Sequence, residues 1–290
     1  MVPGIFGVGI AQINMAISRM IASSLESESV AALYYSSRVQ ELTLGIFSIA
    51  LSIALLPTFS ELIAHRDMEG MKRTLSFSMR LIFFISMPAT AGLLVLSRPI
   101  IQVLFQRGAF DNHSTALSAG CLFFFAIGIP FISGVKILAP AFYSLKDTKT
   151  PVYVAAGVMV SYISMSILLM GSMRVSGLAL AYSLSSFLNF AALFWLLEKK
   201  IGSFHRGSIL LSVIKSTLFA ALMGGAVWLF YNRFEFSRLA FAEKLGILGA
   251  SICIGLVVYI ILNLFFNHDD LRGVRDLFSR EKIAKELDVK

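Results

Sequence analysis

Residues 245–266 read LGILGASICIGLVVYIILNLFF, twenty-two consecutive positions without a charged side chain. A helix of about 20 apolar residues is long enough to cross the roughly 30 Å hydrocarbon core of a bilayer. This stretch therefore predicts a transmembrane helix, and it decides the kind of fold to look for in the rest of the chain.

Seven further apolar stretches of similar length precede it, at 3–22, 30–58, 74–97, 115–138, 151–171, 177–197 and 208–231. The connections between them are short, which favours antiparallel packing of neighbouring helices. We therefore expect an all-α integral membrane protein of about eight transmembrane helices, here called predicted spans one to eight.

The composition supports this interpretation. The 290 residues are 57% hydrophobic and 14% charged, with a mean hydropathy of +0.79. Soluble domains have about 25% charged residues, so a soluble enzyme and a disordered chain are both excluded. The net charge of +8 lies in short loops between apolar segments, a pattern that indicates a membrane protein rather than a nucleic-acid partner. Cys121 and Cys253 lie inside apolar runs, so neither a disulfide framework nor a metal cluster is expected.

The distribution of Lys and Arg predicts the orientation. Loops after even-numbered spans, together with the C-terminal tail, carry fourteen basic residues, and loops after odd-numbered spans carry six. Because basic loops stay in the cytoplasm, both termini of this chain are predicted to be cytoplasmic.

One arginine within the predicted spans stands out from the other basic residues. Arg38 lies about eight residues into span two, and Glu41 follows three residues later as the one carboxylate in any predicted span. Ionisable groups are costly inside a membrane and suggest a functional site. A spacing of four and three residues places one polar stripe on a helical face, and span one carries a second stripe. The first stripe consists of Tyr34, Arg38, Glu41, Gly45, Ser48 and Ser52, and the second of Gln12, Ala16, Arg19 and Ser23.

Two interpretations of these stripes remain open. They could form the wall of a hydrated cavity, or Arg38 and Glu41 could simply neutralise each other inside the bundle. A cavity with Arg19 and Arg38 would suit an anionic, phosphorylated substrate, because a guanidinium stays charged and its fork matches phosphate oxygens. The sequence has no Gly-rich phosphate loop, no His-Glu-x-x-His motif and no intramembrane carboxylate pair. We therefore expect no enzymatic activity, no cofactor and no metal site.

Five motifs, in this order and spacing, resemble the lipid II flippase (MurJ/MviN) family of the wider multidrug/oligosaccharidyl-lipid/polysaccharide exporter superfamily. They are YYSSRV at 34–39, LGIF at 44–47, LLPTFS at 55–60, IQVLFQRGAF at 101–110 and AFYSLKDTKTP at 141–151. The resemblance covers essentially the whole chain, with spans seven and eight matching by hydropathy alone.

The resemblance implies a fold and a set of partners. Family members have about fourteen helices in two lobes around a central cavity, and this chain looks like the seventh helix onward. Residues 1–200 would form the six-helix C-terminal lobe, 201–266 two helices that line a groove for the lipid tail, and 267–290 a cytoplasmic amphipathic tail. The expected partners are lipid II, membrane lipids and a preceding six-helix lobe that this chain lacks. The expected location is the bacterial cytoplasmic (inner) membrane.

The resemblance also implies a function and a site. Arg38, the arginine of the Tyr-Tyr-x-x-Arg motif, would hold the diphosphate of lipid II during alternating access. Together with the two polar stripes drawn from the spacing, this gives the substrate-binding candidates Arg38, Arg19, Glu41, Gln12, Tyr34 and Ser48. Many members carry an acidic residue where this chain has Ser18, so the resemblance does not extend to the cation site of some relatives. The alternatives are a flippase for another polyprenyl-linked saccharide, a drug/cation antiporter, and a non-transporting membrane partner of cell-wall synthases.

Overall fold

The computed structural model describes residues 16–25, 28–234 and 239–266, and these residues form helices and connecting turns without any strand. A helical stretch at 16–23 comes first. The helices that follow are α1 (Ser29–Leu44), a π-helix (Gly45–Ile49), α2 (Ala50–Ala64), α3 (Met68–Phe105), α4 (Asn112–Ser144), α5 (Lys149–Ile201), α6 (Arg206–Tyr231) and α7 (Phe241–Phe266). The predicted all-α class is confirmed, and α3 to α7 are long and apolar enough to cross a membrane. Much of predicted span one lies outside the described residues.

Predicted span two is one continuous helical segment, but it is not a regular α-helix throughout. Five residues, Gly45–Ile49, form a π-helix between α1 and α2. A π-helix has more residues per turn than an α-helix, so it changes which side chains share a face on either side of it. Pro57 lies inside α2 and does not end it.

Predicted spans five and six occur within α5, which folds back on itself. A straight helix of 53 residues would be about 80 Å long, more than twice the thickness of a bilayer core. Arg174 breaks the helix with φ 49° and ψ −133°, and the rings of Tyr162 and Tyr182 lie 6.2 Å apart on either side of the break. We call the two arms α5a (149–173) and α5b (175–201). The turn predicted between spans five and six is thus present.

The largest apolar core lies where α2, α3, α4 and α5b meet. Fully buried side chains from each of these helices form it, including Phe59, Met79, Phe142 and Leu197. Helices α6 and α7 pack along α3, where the Tyr259 hydroxyl donates a 2.8 Å hydrogen bond to the carbonyl oxygen of Phe84.

Aspartates begin three of the long helices. Asp67, Asp111 and Asp147 accept hydrogen bonds from the amides of Gly70, Ser114 and Thr150, respectively. Such bonds satisfy donors that a helix start leaves without an intrahelical partner.

Helices α1 and α4 run parallel to each other in a fixed register. The Ser36 hydroxyl donates to the Ser118 carbonyl, the Gln40 amide donates to the Phe125 carbonyl, and Ser48 Oγ donates to Ser133 Oγ. Residue numbers rise together along both helices, so these bonds fix which face of α1 packs on α4. Tyr34, Arg38 and Glu41 lie on a different face of α1, which is exposed.

Candidate functional site

Three side chains of the predicted stripe share the exposed face of α1. Arg38 Nη1 lies 2.7 Å from Glu41 Oε2, and both side chains are 51% exposed. The Arg38 guanidinium carbon also lies 4.9 Å from the centre of the Tyr34 ring. Arg38 is therefore held from both sides, by a carboxylate through charge and by an aromatic face through a cation–π contact.

A cavity of about 280 Å³ opens beside this group. It lies between the helical stretch 16–23, α1, α4 and the α5 hairpin. Its walls are formed by Ser18, Arg19, Val30, Leu33, Tyr34, Ser37, Gln40, Glu41, Leu44, Phe125, Tyr162 and Tyr182. Arg38 does not line the cavity itself, but both of its partners do. The arginine therefore lies at the rim, close to an opening and to polar walls.

The structure brings most of the sequence-predicted residues together. Arg19, Tyr34 and Glu41 line the cavity, and Arg38 lies beside it. Gln12 lies outside the described residues.

Ser48 is placed elsewhere, and this corrects the single stripe drawn from the sequence. Its side chain is 3% exposed, and its hydroxyl donates a 2.8 Å hydrogen bond to Ser133 of α4. The π-helix that starts at Gly45 is the physical reason, because it shifts the register of the residues that follow. Ser48 therefore packs against α4, away from the cavity that Tyr34 and Glu41 line.

Several wall residues are absent from the sequence-based site. Gln40 is 3% exposed, and its Nε2 donates a 2.9 Å hydrogen bond to the Phe125 carbonyl oxygen. The Tyr162 hydroxyl donates to Ser18 Oγ at 2.8 Å and so joins α5a to the stretch 16–23. A search for uncharged polar residues inside span two would have found Gln40. No local pattern connects Ser18 to a tyrosine 144 positions further along the chain.

The two tyrosines of the Tyr-Tyr-x-x-Arg motif have different surroundings. The Tyr35 ring packs on Phe105 and Phe110, with ring centres 4.7 and 5.3 Å away. It therefore fixes the start of α1 against the α3–α4 turn. Tyr34 is 43% exposed and contacts the guanidinium of Arg38. Within this motif, Tyr34 lines the cavity and contacts Arg38 at its rim, and Tyr35 holds their helix in place.

Helices long and apolar enough to cross a membrane, packed as a bundle with a charged group at the rim of a cavity, define a multi-pass helical membrane fold. Transporters of the MOP superfamily share this fold. A MOP superfamily transporter from Pyrococcus furiosus matches with a TM-score of 0.61 at 16% identity, over 95% of this chain and 65% of that one. The chain belongs to the lipid II flippase MurJ family, whose family model matches residues 1–245.

Individual relatives agree with this assignment. A probable lipid II flippase MurJ of Vibrio cholerae is 32% identical over 95% of this chain and 51% of its own length. The probable lipid II flippase MurJ of Haemophilus influenzae is 34% identical over 89% of this chain and 52% of its own length. A solved lipid II flippase MurJ in an inward closed conformation has a TM-score of 0.76 at 24% identity, over 91% of this chain and 52% of that one. The chain thus spans about half the length of the curated relatives it matches.

Proposed function

We propose that this chain acts in the bacterial inner membrane as the C-terminal part of a lipid II flippase. The activity is transport rather than catalysis: the undecaprenyl-diphosphate-linked peptidoglycan precursor moves from the inner to the outer leaflet. Membership of the MurJ family supports this substrate. The single observation that carries the mechanism is the position of Arg38, half exposed at the rim of the cavity.

In this proposal Arg38 binds the diphosphate. A guanidinium presents paired N–H donors that match two phosphate oxygens, and it stays charged at any physiological pH. Its present partner, Glu41, is half exposed, and ion pairs of this kind contribute only about 0–1 kcal/mol. A diphosphate, with more charge and more acceptor oxygens than one carboxylate, can therefore take its place.

The other candidates have supporting roles in the same proposal. Arg19, from the helical stretch 16–23, adds a second positive charge at the cavity wall. Tyr34 limits the directions that the Arg38 side chain can adopt, because its ring lies against the guanidinium. Gln12 would continue the polar stripe of span one. Ser48 is not included, because its hydroxyl is committed to Ser133.

The lipid would cross the membrane by alternating access. Residues 1–200 form one lobe, which pairs with a preceding six-helix lobe, and the two lobes rock about the diphosphate. Residues 201–266 supply the groove for the polyprenyl tail, and 267–290 form a cytoplasmic tail. Both termini of this chain would lie in the cytoplasm. The membrane potential acts on the anion as it crosses. One elementary charge crossing 100 mV changes the free energy by about 2.3 kcal/mol, so the membrane potential can bias the cycle without ATP.

Depletion of the natural full-length protein from cells, followed by rescue with variants, tests this function. The measurement is the amount of lipid II accessible on the outer leaflet. Arg38→Ala is expected to abolish rescue. Arg38→Lys is expected to weaken it, because an ammonium keeps the charge but lacks the paired donors. Arg73→Ala, at an exposed arginine near the start of α3, is the matched control and should rescue fully.

Each result has a defined meaning. Full rescue by both Arg38 variants would refute the arginine-based mechanism. If depletion leaves lipid II export unchanged but blocks export of another polyprenyl-linked saccharide, the substrate assignment is wrong and the related flippase is correct. If no lipid accumulates inside and cell-wall synthases lose activity, the chain is a non-transporting partner of those enzymes.

A further inference from the structure

Span two is attached to the rest of the bundle unevenly along its length. Seven of the 16 residues of α1 are buried, whereas in the 15 residues of α2 only Leu55 and Phe59 are. Ser48 makes the last of the three hydrogen bonds to α4 described above, and Thr58 and Ser60 of α2 donate to carbonyls of α2 itself. Helical segments with few buried contacts open at a low free-energy cost. The first half of α2 is therefore held only weakly against α4.

This weakly held part lies between two firm attachments. On one side Ser48 is bonded to Ser133, and on the other Phe59 is fully buried in the largest apolar core. Between them, Ile53 and Leu56 are 70% and 40% exposed. We call residues 49–56 the connecting segment. At 1.5 Å per residue, the two attachments are about 16 Å apart along the helix.

The helix is irregular at each end of the connecting segment. At one end is the π-helix Gly45–Ile49, and a change of one residue per turn there corresponds to about 100° of rotation about the helix axis. At the other end Pro57 has no N–H group, so the carbonyl of Ile53 lacks its usual donor. Helices bend at both kinds of irregularity. The connecting segment therefore has a joint on either side.

A kink that served packing alone would be expected to bury the residues around it. Leu56, Pro57 and Thr58 are all exposed instead. Packing against neighbouring helices therefore does not explain why a proline stands at this position.

The connecting segment also has a defined place relative to the cavity. Span two lines the cavity with residues between Val30 and Leu44, and the connecting segment comes next along the same helix. Beyond it, α2 ends at Ala64, on the side of the bundle that the sequence predicts to be cytoplasmic. The segment thus lies between the cavity and that side.

We propose that the connecting segment is a gate that bends away from α4 at the π-helix and at Pro57, while α1 stays attached to α4. Bending opens the route between the cavity and the inner side, and straightening closes it again. Arg38 and Glu41 lie on α1, so they keep their positions while the gate moves. This inference rests on the proposed function for the molecule that passes the gate.

Distances between two spin labels on the full-length protein in lipid nanodiscs test this inference. One pair joins Ile53→Cys on the gate to Tyr143→Cys on α4, and the control pair joins Leu42→Cys on α1 to Phe123→Cys on α4. All four positions are exposed. The exposed Cys253 and any exposed cysteine of the other lobe are first changed to serine. The gate pair should show two distances whose populations shift when a short-chain prenyl diphosphate is added, and the control pair should show one unchanged distance.

Variants at the two joints should change these populations. Pro57→Ala restores the missing N–H donor and favours the straight helix, so the population of the bent form should fall about tenfold or more. Gly45→Ala meets no neighbour and stiffens the other joint, so a fall of about two- to fivefold is expected. Pro88→Ala, which removes a proline from the middle of α3, is the control and should leave both distances unchanged. Neither joint variant should lower the unfolding midpoint, because each replaces a poor helix former with alanine.

The outcomes separate the gate from the proposed function. A single distance for the gate pair with and without prenyl diphosphate, or an equal change in both pairs, would overturn the gate and leave the role of Arg38 intact. Unchanged populations in Pro57→Ala and Gly45→Ala would overturn it as well. If Arg38→Ala rescues cells fully while the gate pair still switches between two distances, the proposed function is wrong and the gate stands.

Discussion

Ser48 in the π-helix and Ser133 in α4 share a hydrogen bond of 2.8 Å between their hydroxyl oxygens, with Ser48 as the donor. Both side chains are buried, at 3% and 0% exposed. This bond lies at the point where span two departs from α-helical register, so it holds the π-helix against α4. It also explains why a residue predicted to bind substrate has a packing role.

The first prediction follows from that bond. Ser48→Ala leaves the Ser133 hydroxyl without its donor, and we expect a loss of about 1 kcal/mol in unfolding free energy, as is usual for interhelical hydrogen bonds in membranes. Binding of prenyl diphosphate should not change. The measurements are the unfolding midpoint in detergent micelles and the Kd of the diphosphate. Ser52→Ala, one turn further along, is the control. If Ser48→Ala weakens binding of the diphosphate and Ser52→Ala does not, Ser48 is part of the binding site.

The second prediction concerns the carboxylate beside Arg38. Glu41→Gln removes the charge that competes with an incoming diphosphate and keeps the size of the side chain. Since an exposed ion pair is worth about 0.2–1 kcal/mol, binding of prenyl diphosphate should tighten about 1.5- to 5-fold. The measurement is the Kd at low ionic strength. A weaker Kd would mean that Glu41 contacts the lipid favourably instead of competing with it.

Local patterns in the sequence were sufficient for much of this structure. The apolar spans follow from length and hydropathy, and the turn near Arg174 follows from the short polar interruption between two spans. The Arg38–Glu41 pair follows from a spacing of three residues, because such neighbours meet on any α-helix.

Two features could not be predicted in this way, and both have physical reasons. The π-helix at Gly45–Ile49 depends on how α1 and α2 pack against α4, so the sequence of span two alone does not specify it. The cavity depends on contacts between distant segments, such as Tyr162 with Ser18 and Gln40 with the Phe125 carbonyl. Helix periodicity places residues on faces, but it does not say which faces meet.

The third prediction is a pH dependence at the α4–α5 turn. Asp147 Oδ2 lies 2.6 Å from Lys200 Nζ and also accepts from the amide and hydroxyl of Thr150. Partial burial opposes ionisation of this carboxyl, but the ammonium and the two donors outweigh it and lower the pKa of Asp147 to about 2. The cluster joins the start of α5a to the end of α5b.

Because the folded pKa lies below the unfolded value of about 3.9, the stabilisation by Asp147 is fully present above that value. It is lost as the pH falls from about 4 to about 2. Asp147→Asn should therefore reduce the unfolding free energy at neutral pH by about 1–2 kcal/mol, seen as a lower unfolding midpoint. This difference from the unchanged protein should vanish near pH 2. Lys200→Ala should show the same loss of stability at neutral pH, and Lys199→Ala, the control, should not. If the stability difference between Asp147→Asn and the unchanged protein persists at pH 2, this account is wrong.

The last prediction concerns the fold-back of α5, on which the cavity depends. Gly177 lies so close to α5a that a Cβ atom on it would be 2.6 Å from the Leu169 carbonyl oxygen. That neighbour is backbone and cannot rotate away, so Gly177→Ala must push the two arms apart, at a cost of about 1–3 kcal/mol. Tyr162 and Tyr182 line the cavity from opposite arms, so moving the arms apart changes the cavity. Binding of a lipid II analogue should therefore weaken, and the unfolding midpoint should fall.

Gly157→Ala is the matched control on α5a. A Cβ atom there meets nothing within 4 Å, and alanine favours the helix by about 0.5–1 kcal/mol, so stability should hold or rise. If the two alanine variants behave the same, the close approach at Gly177 does not hold the hairpin together.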